Sequence, residues 1–350
     1  MEYAIEYGLF LAKAITLVIA ILFVISGIAA TVAKPKSRPD DEGQLVIRHL
    51  SKEYETLSKD VREQLLSEAE QKKLAKQRKK DEKQQRKAEK KSLPFDDAKQ
   101  KDRVFVLDFD GDINASAVET LRREISALLQ VSDKKDEVVL RLESPGGVVH
   151  GYGLAASQLD RIRQQGIKLT ICVDKVAASG GYMMACIGDR ILSAPFAILG
   201  SIGVVAQIPN FHRLLKKNDV DIELVTAGEF KRTLTMFGEN TDQGRTKFQE
   251  ELDEAHQLFK DFVRDHRRNL NMDEVATGEH WFGVQAKELG LVDELMTSDE
   301  YLEKRSKEAE VFHLGWQTKK RLAERLGFAF EATVERLFLK VLQKSNRHLL

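Results

Sequence analysis

The sequence predicts an α/β domain with mainly parallel strands, and three observations lead to that reading. From Arg103 onward, short runs rich in Val, Ile and Leu alternate with segments of helical periodicity. Two glycine-bearing turns, 144–147 (SPGG) and 178–181 (ASGG), each stand straight after a strand and just before a helix. No internal repeat is visible across the 350 residues.

The elements follow in order. "RVFVLDF" is the opening strand of the domain. Ser116 and Glu119 read as an S-x-x-E capping box ahead of "AVETLRREISALL". Ala117, Val118, Leu121, Ile125, Leu128 and Leu129 fall on one face of that helix. "EVVLRLE" (137–143) is the next strand, followed by the first glycine turn and the helix "YGLAASQLDRIRQQ", which Gly166 closes. Strand "KLTICVD" (168–174) leads to the second glycine turn and a short helix from Gly180. "RILSAP" and "VDIELVTAG" read as further strands, and a long helix covers about 243–269.

Outside the domain, composition sets the organisation. Residues 1–35 read as a membrane anchor, because 14–33 run twenty positions without a charge. A helix of that length spans about 30 Å, the thickness of a bilayer's hydrocarbon core. Glu2 and Glu6 replace the basic start of a cleaved signal peptide. Lys34, Lys36 and Arg38 after the apolar run favour a cytoplasmic body by the positive-inside rule. Residues 36–100 read as a charged helical connector, 101–300 as the compact domain and 301–350 as a C-terminal helical extension.

The formal net charge is zero, but 72–91 carry eleven Lys and Arg against three acids. A run so charged builds no core and reads as a solvated helix or tether, with anionic lipid headgroups as its functional alternative. It holds no aromatic residue to stack on bases, so nucleic acid is not an expected partner. The uncharged stretch 191–211 is cut by Pro195, Gly200, Gly203 and Pro209, and reads as buried strands and turns, not a second span. Cys172 and Cys186 form no zinc spacing and no disulfide framework, and read as small buried apolar residues.

Catalytic groups in an α/β domain gather where strands end and helices begin, because helix N-termini leave N–H donors unpaired. If the two glycine turns lie side by side, the N–H of Gly146 or Gly147 and that of Gly180 point at one small space. Such an oxyanion hole gains ~2.7–4 kcal/mol from a single donor. Two tight turns without chemistry are the plain alternative. Ser179 is the nucleophile candidate, and no G-x-S-x-G elbow surrounds it. His150 and Lys231 are the candidate bases. Any lysine acting as a base near neutrality must shed its proton, and a shift from ~10.4 to ~7 costs about 4.6 kcal/mol. A dry pocket meets that cost; Phe230, Leu234, Met236 and Phe237 flank Lys231 in the sequence.

Taken together, "SPGG", "VAASGGYMMA", "LGSIGVV", "TAGEFK" and "GVQAKELGLVD" resemble, in order and spacing, the bacterial signal peptide peptidase A family over about residues 100–300. The basic N-terminal region is most similar to the SohB branch. The resemblance implies a ClpP/crotonase-like fold and a Ser–Lys dyad. Carried over by motif, the serine of "ASGG" is Ser179 and the lysine of "GEFK" is Lys231, 52 residues further on. By the same resemblance Gly146 and Gly147 form the oxyanion loop, and Gly200 and Ser201 form a supporting turn that walls the substrate site. The lysine is followed by "RTLTMFGENT" where relatives often carry a more acidic or proline-containing stretch, which bears on substrate preference.

The implied function is that of a membrane-anchored serine endopeptidase acting on signal-peptide remnants or other short flexible apolar peptides. It implies no cofactor and no metal, a homo-oligomer, and a bacterial inner membrane location. Family resemblance faces the domain outward, against the flanking charge. A crotonase-type acyl-CoA enzyme, which would use the "SPGG" turn for a thioester oxyanion, and a catalytically silent membrane scaffold remain open alternatives.

Overall fold

The computed structural model describes residues 43–67, 70–71 and 102–318. All but their outermost residues lie within one compact unit, Leu45–Trp316. At its centre is a seven-stranded sheet. Its strands are β1 (Gly43–His49), β2 (Arg103–Asp110), β3 (Glu137–Glu143), β4 (Lys168–Val173), β6 (Arg190–Ser193), β9 (Glu294–Leu295) and β10 (Glu310–Thr318), in the order β1-β10-β2-β3-β4-β6-β9. From β10 through β9 every neighbouring pair is parallel. A second, three-stranded sheet orders β5 (Val176–Ala178), β7 (Ile198–Gly200) and β8 (His280–Phe282), with β5 parallel and β8 antiparallel to β7. The fold is thus mixed α/β with a mostly parallel sheet.

Two-residue periodicity decides what each strand buries. On β3, Val138, Leu140 and Leu142 face one core, while Val139 faces the other. The first core takes Leu121, Ile125 and Leu128 from α2 (Val118–Leu128) and Leu159 and Ile162 from α3 (Val149–Gln164). The second takes Leu50 from α1 (Leu50–Gln64) and Tyr301 and Leu302 from α9 (Ser298–Glu308). Each such side chain, removed from water, stabilises the fold by about 1.5–3 kcal/mol. Parallel strands buried on both faces account for the nearly continuous apolar runs of the sequence.

The remaining helices are α4 (Gly180–Ala185), α5 (His212–Lys217), α6 (Asp242–His266), α7 (Met272–Val275) and α8 (Gly283–Glu288). Strand β1 and helix α1 fall in the stretch that composition reads as connector, and β10 in the stretch read as a helical extension. Their sheet partners are distant in sequence, so local charge density does not reveal them.

Two local expectations are corrected. Ser116 does not cap α2; its N–H and hydroxyl both donate to the Asp112 carboxylate, at 2.8 and 2.7 Å, and the helix starts two residues later. The segment "VDIELVTAG" is not a strand. It runs without regular structure, with Val225 exposed to 91%, and pairs with no sheet edge among the described residues. The neighbouring run 191–211 is buried as expected only as far as Ile202, and there with Pro195 and Phe196 exposed; Val205 beyond it is in solvent. Among the described residues no helix is long and apolar enough to cross a membrane, and 14–33 and 72–91 lie outside them.

Candidate active site

Strand β5 ends at Ala178 and α4 begins at Gly180, so the chain turns from extended to helical within Ser179 alone. Ser179 does this at φ 53° and ψ −119°, a left-handed conformation that costs a residue with a Cβ about 1–3 kcal/mol. Its surroundings hold it there. The Ser179 N–H donates to the Gly200 carbonyl at 2.8 Å, its own carbonyl accepts the Met183 N–H at 3.0 Å, and the preceding Ala178 N–H donates to the Ser144 carbonyl at 3.0 Å. The Ser179 hydroxyl is half-buried and has no hydrogen-bond partner among the described residues.

The first glycine turn lies directly against this elbow. Ser144 bridges to Ala177 and donates its N–H to the Val176 carbonyl at 2.8 Å. Gly146, at φ 88°, approaches so closely that a Cβ there would sit 2.7 Å from Ser179 Cβ and 2.8 Å from the Gly180 nitrogen. On the other side a Cβ on Gly181 would stand 2.5 Å from the Ser144 carbonyl oxygen. The expected juxtaposition of the two turns is what the structure contains, and glycine is required at both for backbone to meet backbone.

The N–H groups of the turns divide by partner. Gly146 donates to Ser144 Oγ at 3.1 Å and Val148 to the Ile113 carbonyl at 2.9 Å. Gly147 and Gly180 have no acceptor among the described residues, and these two are the candidate oxyanion donors. Ser201 follows Gly200 at φ 51° and donates its N–H to the Glu279 carbonyl. Because Ala178 pairs in register with Gly200, Ser201 comes out of β7 at the level where Ser179 leaves β5.

Neither candidate base is hydrogen-bonded to Ser179 within one chain, and both are exposed. His150 is exposed in the first turn of α3. Lys231 is exposed in the segment ahead of α6, with its N–H donating to the Gly228 carbonyl at 3.2 Å. Neighbouring Phe230, Met236 and Phe237 are each over two-fifths exposed, so the dry pocket expected around Lys231 is not closed by this chain alone. No hydrogen bond joins Lys231 or His150 to Ser179 among the described residues. Both cysteines are fully buried, and burial pushes each thiol far above its ordinary range, so neither is a nucleophile. Among the described residues no cluster of three His, Cys, Asp or Glu side chains is placed to hold a metal ion.

Sequence reasoning missed Tyr152 and the side chain of Ser144, which link the turns from behind. Tyr152 lies three residues into α3 with no motif around it, and only its place shortly after a glycine turn hints at a role.

Known proteins are similar to the chain over most of its length. The family description "Peptidase family S49 N-terminal" matches residues 2–159 and "Peptidase family S49" matches 161–312. The chain is 52% identical over 344 residues to "Probable protease SohB" of Haemophilus influenzae, covering 97% of each. It is 50% identical over 308 residues to "Probable protease SohB" of Buchnera aphidicola subsp. Schizaphis graminum, covering 88% of each. It is 41% identical over 347 residues to "Putative protease SohB" of Buchnera aphidicola subsp. Baizongia pistaciae, covering 98% of this chain and 99% of the relative.

Proposed function

The chain belongs to peptidase family S49 and is a peptidase, and from that premise we propose that Ser179 is its nucleophile and Lys231 the base. The observation that carries the reading is the Ser179 backbone, held at φ 53° at a strand-to-helix elbow inside one glycine turn and against the other, with the Gly147 and Gly180 N–H groups unpaired among the described residues. Such strain, locked in by three hydrogen bonds, presents a hydroxyl at a helix N-terminus.

In the proposed reaction neutral Lys231 Nζ takes the Ser179 hydroxyl proton as Oγ attacks a peptide carbonyl carbon. The carbonyl π pair moves onto oxygen, where the Gly147 and Gly180 N–H groups receive the charge. Collapse breaks the C–N bond and Lys231 delivers its proton to the leaving amine. Water then adds to the acyl ester, giving a proton to Lys231, and Ser179 is released with that proton.

Because Lys231 is exposed in the single chain, the reading also requires an assembly. A second copy covering the apolar residues Val225, Phe230, Met236 and Phe237 supplies the water-poor surroundings a neutral lysine needs. The proposed substrates, short flexible apolar peptides such as signal-peptide remnants, rest on the family resemblance. The proposed inner-membrane anchor rests on the uncharged run 14–33. Reporter fusions after residue 100 decide which side the domain faces.

The test is labelling of the full chain with a fluorophosphonate probe. Modification at Ser179, its loss in Lys231→Ala with an unchanged circular dichroism spectrum, and a sedimentation coefficient above that of a single chain are expected. Labelling that persists in Lys231→Ala transfers the base to His150, and an unmodified Ser179 in the wild type ends the reading.

A further inference from the structure

Behind the two glycine turns runs a directed chain of hydrogen bonds. Tyr152 is fully buried in α3 and its hydroxyl donates to the Asp112 carbonyl at 2.8 Å. A carbonyl only accepts, so the single Tyr152 proton is committed to it. The 2.6 Å contact between Tyr152 Oη and Ser144 Oγ therefore has one direction, with Ser144 donating. Ser144 Oγ in turn accepts the Gly146 N–H at 3.1 Å. Burial raises the Tyr152 hydroxyl above its ordinary range, so the proton that orders the chain stays in place.

The same residue meets the second turn with its ring. A Cβ on Gly180 would lie 2.4 Å from Tyr152 Cγ, so the ring fills the space beside the first residue of α4. Phe109 packs edge-on against that ring, with centroids 6.3 Å apart. One side chain thus reaches both turns, its hydroxyl through Ser144 Oγ and its ring against the Gly180 backbone. Ser144 is fully buried and sits where any rotation of the Gly146 peptide would break its bond.

We infer that Ser144 and Tyr152 are positioning residues for the oxyanion donors, drawing the Gly146 N–H inward so that Gly147, together with Gly180, is left to bind the developing charge. This rests on the reading of Ser179 as nucleophile. It goes beyond that reading in naming the side chains that hold the Gly146 N–H away and so aim Gly147. The substrate's ground state makes little use of a donor aimed at an oxyanion, so the effect belongs in kcat and not in KM.

Tyr152→Phe keeps the ring on Gly180 and removes the hydroxyl. The expected result is a kcat lowered ~10–100-fold, short of the ~10²–10³-fold loss of a whole donor, with KM within about twofold. A peptide-aldehyde inhibitor, whose hemiacetal oxygen occupies the hole, should weaken by the same factor as kcat/KM. Ser144→Ala should show the same pattern, and Ser144→Ala/Tyr152→Phe should be no slower than Ser144→Ala alone, because one chain is broken once. Wild-type kcat in Tyr152→Phe, a loss confined to KM, or additive losses in the double variant would overturn the inference. If Tyr152→Phe does not fold, Ser144→Ala decides by the same criteria. A wild type modified at Ser179 with a fully active Tyr152→Phe sinks this inference only, whereas an unmodified wild type sinks the reading beneath it.

Discussion

The Ser179 N–H and the Gly200 carbonyl are joined at 2.8 Å, so the elbow that presents the hydroxyl is held from a strand of the second sheet, 21 residues away in sequence. Gly200 itself stands at φ 93° with the Trp281 ring beneath it, 2.6 Å from where a Cβ would be. The position of the hydroxyl thus depends on the β5–β7–β8 sheet as much as on the turn that carries it.

Gly200→Ala is therefore expected to destabilise the fold by about 2–4 kcal/mol through left-handed strain and the clash with Trp281. It should also slow fluorophosphonate labelling of Ser179. Gly278→Ala is the control. Its φ is 88° but nothing lies within 4 Å of the added Cβ, so only the conformational term of about 1–2 kcal/mol applies. Equal urea midpoints for the two variants would contradict the Trp281 contact.

Glu137 is 3% exposed and anchors α9 beneath the sheet. It accepts from Thr170 Oγ1 at 2.6 Å, from Tyr301 and from Arg305 at 2.9 Å, with Lys168 3.2 Å away. Burial opposes its ionisation, but these bonds and charges together hold its carboxyl below the usual range. Its stabilising effect is present above the unfolded value and is lost as pH falls through the folded one. Glu137→Ala should cost about 3–5 kcal/mol in denaturant unfolding, since it leaves the basic partners facing an empty site.

Glu124 behaves in the opposite sense. Burial raises its carboxyl to about 7, against the single backbone bond from Trp316, and its second oxygen has no partner. Asp108 adds to the rise and His313 opposes it. The folded state then holds a proton that the unfolded state has released, so stability falls as pH climbs from ~4.5 to ~7, by on the order of 3 kcal/mol in all. Glu124→Gln should remove that part of the slope and leave the variant more stable than the wild type at pH 8. Parallel stability–pH curves for the two proteins would contradict it.

Iodoacetamide at pH 8 should leave the folded enzyme active and unmodified, and should label both cysteines once the chain is unfolded, because Cys172 and Cys186 are sealed in the two cores. Inhibition of the folded enzyme by this reagent would move the nucleophile from serine to cysteine.

Much of the fold and part of the site are legible in the amino-acid sequence. The apolar runs that form β2, β3, β4 and β6, the one-faced helix α2 and the long helix α6 all announce themselves by periodicity, which depends on neighbours within a turn or two. The two glycine turns and Ser179 are legible for a related reason: a small residue between a strand and a helix restricts what backbone can do there. Composition misplaces β1 and β10 because a strand at or near a sheet's edge is specified by its partner, and 220–228 reads as a strand because its residues favour one although no strand among the described residues pairs with it.

By itself, then, the sequence determined the α/β class, the order of the elements and the serine on which the proposal centres, since each of these is encoded in local spacing. Tertiary structure alone decided that the serine is held left-handed by Gly200, that Gly147 and not Gly146 keeps a free N–H, that Tyr152 braces both turns, and that Lys231 stands in solvent in a single chain. Those outcomes turn on hydrogen bonds and contacts between residues far apart in sequence, whose directions are set only when the strands are laid side by side.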